Sequence, residues 1–146
     1  LAAEQEFGKR IVFENDSFTV FLPFFTEYPY GIYVFPKRHI SHITQMTEQE
    51  KADFGITLKQ IVGMYDSLFD MPFPYMMCMH NAPVNSGDVD ADFHFHVEFF
   101  PPLRSANQQK FNASSETGAW AHCNPRCPEE TAAELREAYD RYQNSL

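Results

Sequence analysis

The run Asp92-Phe93-His94-Phe95-His96-Val97-Glu98-Phe99-Phe100 alternates, with apolar residues at 93, 95, 97 and 99 set against His94, His96 and Glu98. A period of two marks a half-buried β-strand, because successive side chains point to opposite faces. Residues two apart in a strand are separated by roughly 6.6 Å and point the same way, so the rings and the carboxylate form one row. Such a row can serve one metal ion or one phosphate group.

The rest of the chain supplies partners for that strand. Arg10 to Phe24 alternates and pauses at Glu14-Asn15-Asp16, which predicts two strands joined by a short turn. Gly31-Ile32-Tyr33-Val34-Phe35 is a further β-rich run stopped by Pro36, and Tyr75 to His80 is another that follows the breaker Pro72-Phe73-Pro74. If the strand ending at His80 pairs antiparallel with the histidine strand, His80 lies near His94 and three imidazoles meet. Thr47-Glu48-Gln49-Glu50 forms a capping box, and Phe54, Leu58, Ile61, Val62, Tyr65 and Leu68 follow at helical spacing, so a helix is expected over about 47–69. A closing helix is expected over about 128–143, with Pro128 and two acids in its first turn and Leu135, Tyr139 and Tyr142 on one face. Residues 103–127 carry no clear pattern, and Trp120 within them is expected to pack.

At 146 residues, with 44% hydrophobic and 16% aromatic content and no internal repeat, the chain fits a single α+β domain, 1–146, on an antiparallel sheet. No stretch approaches the roughly 18–20 apolar residues of a membrane helix, and the start Leu1-Ala2-Ala3-Glu4 has no signal-peptide character. Cys78, Cys123 and Cys127 make an odd count without a disulfide framework, which points to a reducing, intracellular setting. The net charge of -9 argues against nucleic acid and anionic membrane as partners. A small anion could still meet a local cluster, of which Pro36-Lys37-Arg38-His39 and the nearby His42 are a candidate, although a solvated corner explains them as well. The chain lacks an initiating Met, which is compatible with its being part of a longer protein.

Three readings of the histidines stand open on residue chemistry. His80, His94 and His96 suit zinc or iron, with a carboxylate or water completing the set. The strand histidines can instead be solvated residues on an open sheet face. Alternatively one of them attacks phosphorus, with the other and Glu98 moving protons or orienting it. Asp88-Val89-Asp90-Ala91-Asp92 opens like a calcium loop but lacks the glycine and the closing glutamate that such a loop needs. His122-Cys123-Asn124-Pro125-Arg126-Cys127 has zinc-binding residue types without a second pair at finger spacing, and reads as a surface loop.

Taken in order, these motifs resemble a known family. Gly31-Ile32-Tyr33-Val34-Phe35-Pro36-Lys37-Arg38-His39-Ile40, the capped helix and His94-Phe95-His96-Val97-Glu98 are similar to the histidine-triad superfamily, with Glu98 in place of a third histidine. Phe73-Pro74-Tyr75, His80-Asn81-Ala82-Pro83, Phe100-Pro101-Pro102-Leu103-Arg104-Ser105 and Lys110-Phe111 resemble more closely the C-terminal half of the galactose-1-phosphate uridylyltransferases, over about residues 10–139. The resemblance implies a cytoplasmic, dimeric nucleotidyltransferase. It would exchange uridylyl between UDP-glucose and galactose 1-phosphate through a covalent histidine in a His-Pro-His motif, which this chain does not contain.

The resemblance further implies a structural zinc or iron site on His80, His94 and His96, its fourth ligand a glutamate from the other half. Lys110, Phe111 and Glu116 would match a segment that reaches the partner's active site to hold the nucleotide sugar. The isolated chain would then be inactive. The competing enzymatic reading is a stand-alone histidine-triad nucleotide hydrolase or transferase with His96 as nucleophile. A non-enzymatic reading is a metal-stabilised assembly module.

Overall fold

A computed structural model describes residues 1–85, 87 and 89–146. In chain order the elements are α1 (Ala2–Phe7), β1 (Ile11–Glu14), β2 (Phe18–Phe21), β3 (Tyr33–Pro36), a 3-10 turn (Ile43–Gln45), α2 (Glu48–Leu68), β4 (Met76–His80), β5 (His96–Phe100), β6 (Leu103–Ser105), β7 (Gln108–Gln109), α3 (Ser114–Ala119) and α4 (Pro128–Asn144). Five strands form one antiparallel sheet in the order β1-β2-β3-β5-β4, and β6-β7 is a separate small ribbon. The α+β architecture expected from the sequence is therefore present.

Local chemistry explains most boundaries. The turn between β1 and β2 is closed by Asn15, whose Oδ1 accepts hydrogen bonds from the Ser17 and Phe18 amides at 3.0 and 2.7 Å. Thr47 caps α2: its hydroxyl accepts the Glu50 amide at 3.2 Å while the Glu50 carboxylate accepts the Thr47 amide at 2.7 Å. Glu50 also takes a two-pronged bond from Arg38 at 2.8 and 2.7 Å. Arg38, with the capping bonds behind it, pulls the Glu50 carboxyl down to about 2.

The helices α2 and α4 pack together and cover one face of the sheet. From α2, Phe54, Ile61 and Tyr65 enter the core, and the Tyr65 hydroxyl donates to the Tyr30 carbonyl at 2.7 Å. From α4, Leu135 and Ala138 are buried and Tyr139 stacks on Phe13 with ring centroids 4.4 Å apart. The N-terminal helix α1, which carried no readable pattern, is held because Arg10 donates to Glu4 at 2.8 Å and also to Glu129 on α4. Among the described residues no helix is long and apolar enough to cross a membrane.

Two glycines on α2 have opposite roles. A Cβ at Gly63 would lie 2.2–2.5 Å from the Tyr142 ring of α4, whereas one at Gly55 would meet nothing within 4 Å. Gly63 thus sets how closely the two helices approach. We expect Gly63→Ala to destabilise the protein by about 1–3 kcal/mol through overpacking. Gly55→Ala should stabilise it by about 0.5–1 kcal/mol through lower unfolded-state entropy. Paired thermal or urea denaturation curves test both.

Candidate functional site

The sheet face turned away from α2 carries the histidines. Val97 and Phe99 of β5 are 0% and 1% exposed and enter the core, so the alternation places His96 and Glu98 on the opposite face. Cross-strand register completes the group: His80 of β4 pairs with His96, Cys78 with Glu98, and on the other side Tyr33 of β3 pairs with Glu98. The His80 and His96 rings stack at 4.8 Å and 11°. Glu98 Oε1 lies 3.1 Å from His96 Nε2 and 3.6 Å from His80 Nε2. One donor atom from each of His80, His96 and Glu98 lies within 4.8 Å of the other two.

The structure therefore brings together His80 and His96 with Glu98, and does not bring His94 into that group. The ladder begins at His96, because the Phe95 amide is bound to the Ile40 carbonyl at 2.7 Å and the preceding residues turn back on Val89. His94 instead sits edge-on to Phe35 at 5.1 Å and 4.9 Å from the His39 ring. Burial, reinforced by neighbouring His39, pushes its imidazole below the usual histidine range. The expected strand over 92–100 is thus shorter, and the partner of His80 is His96.

The orientation of His96 suits a ligand. Its Nδ1 is 2.9 Å from the His94 carbonyl, which can only accept, so Nδ1 holds the proton and Nε2 is turned toward Glu98 and His80. Metal-binding histidines commonly carry such a carbonyl on the distal nitrogen. Among the described residues, His80 Nε2 is buried without a hydrogen-bond partner, as is His94 Nε2 outside the group. A buried nitrogen left so costs free energy that a cation would relieve. Flat rings surround the group: Phe35 stacks on His96 at 4.8 Å and Tyr33 at 5.8 Å. Burial first, and then Glu98, push the Tyr33 phenol well up.

Tyr33 was not legible as a site residue. Its only sequence signal is the two-residue spacing from Phe35.

The second candidate segment holds itself together. Lys110 and Glu116 form an ion pair with side chains only 5% and 1% exposed. Glu116 also accepts the Ala113 and Cys123 amides at 2.6 and 3.3 Å, and Lys110 Nζ stands 5.2 Å over the Tyr28 ring. Phe111 is 79% exposed. Of the three residues, then, only Phe111 presents itself to solvent. Trp120, expected to pack, is 83% exposed at the left-handed end of α3. Its backbone turns outward there, because the Ala121 amide bonds back to Ser115 and not onward into a helix.

The remaining candidates resolve simply. Lys37 meets Glu14 at 3.8 Å, His42 meets Asp90 at 3.5 Å, and His39 Nε2 lies 2.9 Å from the Asp90 carbonyl, so the cluster at 36–42 is matched by groups from other parts of the chain. Asp88, which opens the calcium-like run, lies outside the described residues. The three cysteines are free and exposed, and among the described residues none joins a metal-binding group.

Comparison with known proteins matches residues 2–143 to the family described as galactose-1-phosphate uridyl transferase, C-terminal domain. The chain belongs to this family. The uridylyltransferase of Thermotoga maritima is 46% identical over 134 residues, which cover 92% of this chain and 42% of that protein. The chain thus spans less than half the length of this curated relative. A solved uridylyltransferase structure superposes with a TM-score of 0.82 at 33% identity, covering 91% of this chain and 42% of the other. A zinc-bound histidine-triad family protein from Mycobacterium smegmatis shares the fold, with a TM-score of 0.60 at 18% identity over 93% of this chain and 87% of its own.

The segment from Lys110 to Cys123 depends on one ionised carboxylate. Lys110 first, then the two amides, hold the Glu116 carboxyl down to about 2. A folded-state value below the unfolded one means the contribution is fully present above the unfolded carboxylate range and is lost as pH falls toward about 2. Protection of the Ala113 and Cys123 amides, measured against the unfolded-chain exchange rate at each pH, should therefore be high at neutral pH and fall through that acid window. Glu116→Gln should show fast exchange already at pH 7. Unchanged protection in the variant would refute this account.

Proposed function

We propose that the chain is the C-terminal part of an enzyme exchanging uridylyl between UDP-glucose and galactose 1-phosphate, acting as a cytoplasmic homodimer. The observation that carries this is the family match over residues 2–143, on a chain spanning 42% of its Thermotoga relative. The sequence contains no His-Pro-His, so the covalent histidine would belong to another part of the protein. A histidine nucleophile suits two successive transfers, since it attacks and then leaves.

Within this division of labour, His80, His96 and Glu98 would hold a zinc or iron ion, with room for a further ligand from outside the chain. When bound, the cation would cross-link β4 to β5 and fix the sheet edge. The chain's own residues prepare for it: the His94 carbonyl fixes the His96 ring, and Tyr33 lies across from Glu98. On the arm, Phe111 would touch the nucleotide sugar bound by a partner subunit, with Lys110 and Glu116 setting the arm's shape and supplying polar contacts once the sugar displaces part of their pairing.

The alternative in which His96 attacks phosphorus uses the same Nε2 lone pair, and the convergence of His80, His96 and Glu98 donor atoms within 4.8 Å is what favours an ion there. Two measurements separate the readings. Metal analysis of the full-length protein should show the content lost in His80→Ala, His96→Ala and Glu98→Ala, with affinity down by more than the roughly 10- to 100-fold typical of outer-shell partners alone. His94→Ala, which keeps the backbone carbonyl, should retain the metal. Mass spectrometry after incubation with UDP-glucose should find no uridylyl adduct on His96. An adduct there would replace this proposal with the nucleophile reading.

A further inference from the structure

A cavity of about 130 Å³ lies beside the histidine–carboxylate group, lined by Phe25, Glu27, Tyr28, Tyr33, Glu98 and Phe100 among others. One water needs roughly 10–15 Å³ of such space, so the cavity admits several. It contains two carboxylates at different depths. The Glu98 side chain is 14% exposed, while that of Glu27 is 47% exposed. The loop carrying Glu27 is fixed, since the buried Thr26 hydroxyl bonds to the Gly31 carbonyl at 3.0 Å. The geometry points to this cavity as the path by which a divalent cation reaches His80, His96 and Glu98, with Glu27 as the residue that captures it at the mouth.

Other approaches are poorer. Phe35 and Phe93 stack over His96 at 4.8 and 5.9 Å and offer no donor to a cation shedding water. His80 Nε2 has no solvent-exposed surface of its own. The carboxylate side is the polar entry, and two negative groups in a partly dry cleft concentrate cations. Glu27 is itself held by His122 Nδ1 at 3.1 Å. His122 follows the arm rooted at Lys110 and Glu116, so the arm's position governs how free the capturing carboxylate is.

This inference rests on the metal reading proposed above, and the test separates the two. Metal-stripped full-length protein is mixed with zinc and a chromogenic indicator, and the uptake rate, the release rate and the equilibrium affinity are read. A residue passed on the way in and on the way out speeds both directions, so Glu27→Gln should slow zinc uptake and zinc release together, each about fivefold or more, with affinity within about twofold of the wild type. Glu27→Asp should keep the wild-type rate, and added salt should slow the wild type more than Glu27→Gln. His122→Ala, which frees the carboxylate, should not slow uptake. If the wild type binds zinc and Glu27→Gln takes it up equally fast, the route is refuted and the metal site stands. An affinity loss carried by faster release makes Glu27 a ligand and also refutes the route. Failure of the wild type to take up zinc refutes the metal reading and this inference together.

Discussion

The seating of Val97 and Phe99 in the core is the constraint on which the site depends. Each fully buried side chain of this kind contributes on the order of 1.5–3 kcal/mol. Because strand side chains alternate with a period of two, slipping β5 by one residue would expose both and bury His96 and Glu98 instead. Hydrophobic burial therefore decides which face carries the polar row. Pairing with β4 and β3 then places His80 and Tyr33 beside that row, since His80 is opposite His96 and Tyr33 opposite Glu98. The group is a consequence of core packing several ångströms away, on the other face of the sheet.

The arm after β7 obeys a different logic. It buries little apolar surface, and Phe111 and Trp120 both face solvent. Its order comes from one carboxylate: Glu116 takes Lys110 and two backbone amides at once. Taking both charges out of water is costly, so such a pair specifies a conformation more than it adds stability. A segment proposed to present an aromatic ring to a partner would gain from this arrangement. The backbone is fixed before contact and the exposed ring remains free.

Much of the fold was legible. The capping box at Thr47 and the helical spacing behind it located α2 to within a residue at each end, because both signals are local. The turn at Asn15 was equally readable. What escaped depends on contacts that no periodic pattern encodes: α1 is held by Arg10 reaching Glu129 far along the chain, and α3 by the buried pair of Lys110 and Glu116. At the site, alternation treats 94, 96 and 98 as equivalent positions. Which of them meet His80 is decided by cross-strand register, and by Phe35 and His39 occupying the space around His94. No spacing rule within the run contains that information. His80 and His96 could be named from sequence, but the place of Glu98 beside them required the sheet.

Glu98 in that place has chemical consequences of its own. Two imidazoles are neutral ligands, whereas a carboxylate brings a charge, so the set His80, His96 and Glu98 offsets half the charge of a divalent cation before any further ligand joins. An isolated carboxylate would resist burial at this depth. Here Tyr33 lies across the ladder on one side, its phenol kept protonated and able to donate, and Cys78 lies opposite on the other. The carboxylate is thus held by neighbours that the ladder itself supplies, in a position where a third imidazole would have neither the charge nor the same claim on Tyr33. The strand row is a graded set, with His94 against Phe35 and His39 at one end and, at the other, Glu98 as the carboxylate that would supply charge to a bound cation.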